Sequence, residues 1–89
     1  SKDYRHLAEQ IKRAGLSVAL NIAEGSAKNS DKDFNRYLGN SLGSTIEVVA
    51  GLEIAMSIGL ITKEDFDKGL DLYQNITNQL GGLSKKLKS

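Results

Sequence analysis

Two pairs of polar residues stand where the first two helices of this chain should pack: Asn21 with Glu24, and Ser44 with Glu47. Two neighbouring carboxylates can serve general acid–base chemistry or hold a cation. The metal sites of helical bundles, however, use Glu-x-x-His pairs, and this sequence contains no such pair. We therefore interpret the four residues as a structural polar network between the helices. We predict that the protein is not an enzyme and uses no metal and no cofactor.

Nucleophilic chemistry also lacks its usual partners here. The chain has no cysteine and one histidine, His6, which lies beside Arg5 near the start of the sequence. A triad or a ligand set requires further groups placed around such a histidine. Because no second His, Cys or suitably placed Ser accompanies it, we interpret His6 as a solvated surface residue.

Basic residues form a second candidate site. Six of them follow the polar side of the first helix and the turn after it: Arg5, Lys12, Arg13, Lys28, Lys32 and Arg36. One interpretation is a patch that contacts phosphates and is repeated by oligomer symmetry. The other is a solvated helix surface, paired in part with Glu9 and Asp33. The net charge of the whole chain is only +1, and the residues alone leave both interpretations open.

Three helices must position these residues, and they are predicted over residues 3–24, 31–58 and 63–86. Apolar residues recur at spacings of three and four, the chain has no proline, and no strand pattern competes. Gly25 is expected to end the first helix with a positive φ, while Ser30 caps the second. Since both connections are short, consecutive helices should be antiparallel. The predicted fold is all-α, an up-down-up bundle that forms one domain.

Glycines and core positions add two expectations about packing. Gly39, Gly43 and Gly51 form a stripe on the second helix, which predicts close approach of another helix from this chain or from a second subunit. The predicted core includes Tyr4 on the first helix. On the second helix it includes Val49 and either Thr45 or Ile46.

The composition excludes a membrane-spanning segment. No apolar run approaches the roughly 20 residues that a transmembrane helix needs, and no signal-peptide pattern opens the sequence. We therefore expect a cytoplasmic protein that does not associate with membranes.

A chain of 89 residues buries only roughly 60–65% of its unfolded surface, so the stability of an isolated copy should be modest.

Several segments resemble a known family in order and spacing. They cover about half of the chain: QIKRA (10–14), SV (17–18), NIAEG (21–25), SDKDF (30–34), RYL (36–38), LGS (42–44) and Glu47. The pattern is similar to that of the four-helix-bundle proteins encoded in intervening sequences of bacterial 23S rRNA genes. That family is in turn similar to the accessory variability determinant of diversity-generating retroelements, a pentameric barrel that works with a reverse transcriptase and nucleic acid. The resemblance implies a homo-oligomer, a pentamer in that relative, with RNA or DNA and a reverse-transcriptase-like protein as partners.

This sequence also differs from the family pattern at its start. Family members usually begin with a further amphipathic helix before the segment that starts here at Ser1. Three helices without it should expose an apolar groove, which another subunit would cover. The expected function is a non-enzymatic, nucleic-acid-associated accessory or scaffold protein that binds phosphate backbone through its basic patch. The alternative is an interaction module that docks a partner helix in the groove.

Overall fold

The computed structural model describes residues 2–88, with side chains from residue 4 onward, and this part of the chain is entirely helical apart from two turns. The three helices are α1 (Lys2–Ser26), α2 (Asp31–Ser57) and α3 (Lys63–Lys88). The predicted all-α fold is confirmed. None of the described helices is long and apolar enough to cross a bilayer.

Local capping explains where α2 and α3 begin. The Ser30 hydroxyl accepts a hydrogen bond from the Asp33 backbone N–H at 3.1 Å, and Thr62 does the same for Asp65 at 3.0 Å. Each cap satisfies one of the backbone donors that a helix start leaves unpaired. At the other end of α2, Gly59 takes a φ of +80°, a conformation that turns the chain and that glycine adopts without strain.

Gly25 differs from its predicted role. α1 continues through it to Ser26, and among the described glycines only Gly59 has a positive φ. The reason for a glycine at position 25 is close packing. A Cβ there would lie 2.7 Å from Tyr37 Cβ and 2.9 Å from Phe34 Cδ1. The start of α2 therefore presses directly on the backbone of α1.

Antiparallel pairing joins the helices in chain order. Between α1 and α2, the buried Ser41 hydroxyl donates to the Val18 carbonyl oxygen at 2.9 Å. Between α2 and α3, Thr77 donates its hydroxyl hydrogen bond to Thr45 Oγ1 at 3.2 Å. These contacts fix a register in which Gly25 lies near Tyr37, whereas Ile11, earlier in α1, lies near Gly51, later in α2.

The three helices form a single layer with α2 in the middle. No Cα of α1 lies within 8 Å of a Cα of α3, and the Cα envelope of the described chain measures 45 × 23 × 13 Å. The small core is built around Val18, Leu38 and Leu80, one from each helix. A layer of this kind buries one side of each helix against its neighbour and leaves a broad face open.

Some predicted core positions turn outward. Tyr4 is 39% exposed and Ile46 is 69% exposed. On α2 the inward positions belong to Thr45 and Val48, which are 1% and 2% exposed. Because α2 has a neighbour on each side, its buried surface is wider than one stripe, and a strict three–four pattern therefore missed Val48.

Candidate nucleic-acid interface and open trough

A polar network does connect α1 and α2, and it is built mainly from hydroxyls and amides. Ser44 donates to Ser17 Oγ at 2.9 Å, and the Asn21 side-chain amide donates to the Ser17 carbonyl oxygen at 2.8 Å. Asn40 reaches Asn21 Oδ1 at 3.4 Å. Within the described residues, no buried side-chain nitrogen or oxygen is left without a hydrogen-bond partner. A complete network of this kind favours one register of the two helices.

The two carboxylates predicted for this network lie outside it. Glu24 and Glu47 are both exposed, and Glu24 instead pairs with Lys28 at 3.5 Å. The register of α1 against α2 separates the two acids by about 14 Å along the bundle axis, given 1.5 Å per helical residue. Through residues 2–88, no three His, Cys, Asp or Glu residues lie together in a way that could hold a metal ion.

The three glycines of the predicted stripe lie in two different environments. Ile11 packs on Gly51, where a Cβ would lie 2.6 Å from Ile11 Cγ1. At Gly39 and Gly43 a Cβ would meet nothing within 4 Å, so neither glycine packs against another helix of this chain. The spacing of these glycines is regular, but only Gly51 faces α1.

The six predicted basic residues form two groups. Lys28, Lys32 and Arg36 surround the turn between α1 and α2. Arg5, Lys12 and Arg13 lie toward the opposite end, because Ile11 packs level with Gly51 near the end of α2. From Lys12 to the end of α1 is about 20 Å at 1.5 Å per residue. The patch expected around the first turn therefore contains only the first group.

Two of the basic side chains around the α1–α2 turn lie over the ring of Tyr37. Lys28 Nζ lies 5.2 Å from the ring centre and Arg36 Cζ lies 4.7 Å from it. Both distances are typical of cation–π contacts. Each cation also has an acidic neighbour: Lys28 pairs with Glu24 at 3.5 Å, and Arg36 lies 4.0 Å from Asp33. All four charged side chains are substantially exposed, so these ion pairs exchange easily with other charges.

Three further lysines join the turn group, and sequence reasoning missed them. Ser84 donates a hydrogen bond to Asn35, and Leu87 packs against the central core, which holds the last turn of α3 beside the start of α2. We call the resulting surface the basic end and define it by six residues: Lys28, Lys32, Arg36, Lys85, Lys86 and Lys88. The acids at this end are Glu24, Asp31 and Asp33. The rest of the sequence holds six Lys or Arg against eight acids.

A second surface, an apolar groove, lies between α1 and α3. We call it the open trough, a groove of about 350 Å³. Its lining comes from α1 and α3 alone: Gly15, Val18, Ala19, Ile22, Tyr73, Ile76, Gln79 and Leu80. No charged side chain is among them. The Tyr73 side chain extends from α3 to α1 across the bottom of this groove, since a Cβ on Gly15 would lie 3.2 Å from the Tyr73 hydroxyl oxygen.

A comparison with known families agrees with the helical fold. The model of the 23S rRNA-intervening sequence protein family matches residues 1–82. The chain belongs to this family. The matched segment includes all of the open trough, whereas Lys85, Lys86 and Lys88 of the basic end lie beyond it.

A solved structure has a fold similar to that of this chain. It is a protein of unknown function from the S23 ribosomal protein family of Bacteroides thetaiotaomicron. The two chains are 28% identical and superpose with a TM-score of 0.85, over 89% of this chain and 73% of that one. A search of curated proteins gave no match.

Proposed function

We propose that this family member is a non-enzymatic accessory protein that binds the phosphate backbone of a nucleic acid through its basic end. The observation that carries the proposal is the convergence of three chain segments at one end of the layer. They bring six Lys and Arg together with three acids, while the rest of the chain has an excess of acids. A local positive field of this kind attracts polyanions even though the net charge of the chain is +1.

Binding at the basic end would neutralise phosphates without reading bases. Base recognition in single strands uses exposed aromatic rings, and at this end the Tyr37 ring is occupied by Lys28 and Arg36. Lysines on helix ends offer flexible point charges rather than a fixed pattern of donors. The expected interaction is therefore sensitive to salt and nearly independent of sequence.

A charge-reversal experiment tests the proposal. Fluorescence anisotropy would follow the binding of labelled duplex DNA and single-stranded RNA between about 50 and about 200 mM salt. Lys32→Glu combined with Lys85→Glu changes the basic end. Lys12→Glu combined with Arg13→Glu makes the same change of net charge near the middle of α1, about 20 Å from the basic end. All four side chains are exposed, so both variants should fold.

The basic-end variant should bind at least ~10-fold more weakly at low salt. Its salt dependence on duplex DNA should also be shallower, because the logarithmic slope falls by about 0.9 for each phosphate that the variant does not neutralise. The control variant should keep most of its affinity. Equal losses in the two variants would mean that overall charge governs binding, and no binding by the unmodified protein would overturn the proposal directly.

A second candidate function is an interaction module, and the open trough favours it. Its apolar lining has no covering element among the described residues. Association through such a surface is driven by the hydrophobic effect, which salt does not screen. A complex that persists at salt concentrations sufficient to abolish phosphate binding would identify this second function.

A further inference from the structure

Two adjacent glycines interrupt the side-chain surface of α3 close to its end. Gly81 and Gly82 both adopt helical backbone, since α3 continues through them to Lys88. A Cβ on either glycine would meet nothing within 4 Å, so close packing does not require them. Among the described glycines only Gly59 has a positive φ, so neither of the two marks a turn. Interior glycines weaken a helix relative to alanine, and here no contact compensates for that loss.

The segment that follows these glycines is held loosely. We call residues 83–88 the lysine arm, and every residue in it is exposed or half-buried. Ser84 donates a hydrogen bond to Asn35, and Leu87 packs against the central core. Segments with few buried apolar contacts open at a lower free energy than the rest of a domain. The glycines therefore lie where α3 passes from its buried part, which ends at Leu80, to a weakly attached end.

The lysine arm carries three of the six cations of the basic end. On a helix, residues three apart share a side but adjacent residues do not, so Lys85 and Lys88 point one way and Lys86 another. The helix also compresses the three lysines into about 4.5 Å along its axis. A helical arm therefore presents Lys86 away from a phosphate backbone that the other two contact.

We propose that the lysine arm is released from the bundle by opening at Gly81 and Gly82, and that the released arm lays its three lysines along a phosphate backbone. Consecutive residues of an extended chain are about 3.3 Å apart, so the lysines then spread over about 10 Å. Phosphates of one duplex strand follow each other at about 3.4 Å along the axis. The released arm therefore matches the phosphate spacing, and its backbone is free to turn each lysine toward the same strand. This inference rests on the proposed function of the basic end and adds how that end engages its ligand.

Amide hydrogen exchange followed by NMR tests the opening on the whole protein. Gly81→Ala combined with Gly82→Ala should slow the exchange of amides 83–86, whose hydrogen bonds reach back to or across the glycines, by roughly 5- to 30-fold, because two alanines stabilise the helix that must open. Gly39→Ala combined with Gly43→Ala is the matched control, since a Cβ at either position in α2 also meets nothing within 4 Å. The control should leave exchange in the lysine arm unchanged.

Ordinary fraying of the helix end gives a different result. An end that frays from Lys88 without reaching the glycines exchanges at the same rate in the unmodified protein and in the Gly81→Ala, Gly82→Ala variant. Unchanged exchange at residues 83–86 would therefore overturn the proposal.

Fluorescence anisotropy with labelled duplex DNA at low salt tests what the opening does. Because binding requires the released arm, the Gly81→Ala, Gly82→Ala variant should bind more weakly, by up to the same factor by which it suppresses opening. The Gly39→Ala, Gly43→Ala control should bind like the unmodified protein. Slower exchange together with unchanged or tighter binding would identify the docked arm as the binding form and overturn the proposal.

The two measurements also separate this inference from the proposed function. DNA binding by the unmodified protein, together with unchanged exchange in the alanine variant, would overturn only the released arm. Absence of DNA binding by the unmodified protein would overturn the proposed function of the basic end and the released arm with it.

Discussion

Replacing Gly25 with alanine should destabilise the protein, although alanine is the better helix former. The added methyl would lie 2.7 Å from Tyr37 Cβ and 2.9 Å from Phe34 Cδ1. Tyr37 Cβ is attached directly to the backbone of α2, so the two helices must move apart. Overpacking of this kind costs about 1–3 kcal/mol, and the gain in helix propensity returns at most about 1 kcal/mol. With about 2 kcal/mol for the overpacking, the expected net loss is about 1 kcal/mol in the free energy of unfolding.

Thermal unfolding followed by circular dichroism measures this loss. For a domain of this size, 1 kcal/mol corresponds to roughly 4–8 °C, so Tm should fall by about that amount. Gly43→Ala is the matched control, because a Cβ there would meet nothing within 4 Å in the interior of α2. That variant should gain about 0.5–1 kcal/mol. Both must be measured at one protein concentration, since association raises Tm. A Gly25→Ala protein as stable as the unmodified chain would refute close packing as the reason for glycine at position 25.

Three further substitutions test other contacts. Ser30→Ala removes the cap of α2 and should cost about 1 kcal/mol in urea unfolding, and an unchanged midpoint would exclude a capping role. Ser41→Ala deletes the buried hydrogen bond to Val18 and should also cost about 1 kcal/mol, without changing the helix content measured by circular dichroism. Gly51→Ala should lower Tm because Ile11 Cγ1 lies 2.6 Å from the new methyl, whereas Gly69→Ala meets only the mobile end of Leu52 and should leave Tm unchanged or raised. Equal effects of the two glycine substitutions would contradict this explanation.

The helices could be predicted from the sequence because their signals are local. Ser30 and Thr62 act as caps within three residues of their partners, and Gly59 ends α2 by its own backbone conformation. The apolar spacing of three and four then indicates one buried side for each helix. It does not indicate how many neighbours a helix has, and for this reason Val48, on the wider buried surface of α2, was missed.

Gly25 was singled out correctly from the sequence, but its predicted role as the residue that ends the first helix was wrong. A glycine near a helix end is most often a C′ residue with positive φ. Here the two residues that require a glycine, Phe34 and Tyr37, come nine and twelve positions later on the next helix. Nothing within the first helix indicates that packing, so only the folded structure distinguishes the two roles.

Which residues come together at the candidate site depends on the register of the helices and on the chain topology, and neither could be read from the sequence. Glu24 and Glu47 were expected to share one polar network because each stands where the first two helices should pack. The observed register places Glu47 nearer the middle of α1 and leaves both acids exposed. Conversely, Lys85 lies 53 positions after Lys32 in the sequence. The two meet at one end only because α3 runs antiparallel to α2.

The proposed role of the basic end can be tested most directly by mapping backbone amide shifts in NMR spectra of the labelled protein during titration with single-stranded RNA at low salt. If the basic end binds RNA, the shifts should concentrate in residues 28–36 and 84–88 and should vanish at high salt as the phosphate charges are screened. The amide resonances of residues around Lys12 and Arg13 should not shift. Shifts centred on residues 5–13, or a spectrum that RNA does not change, would contradict the assignment of the basic end as the nucleic-acid interface.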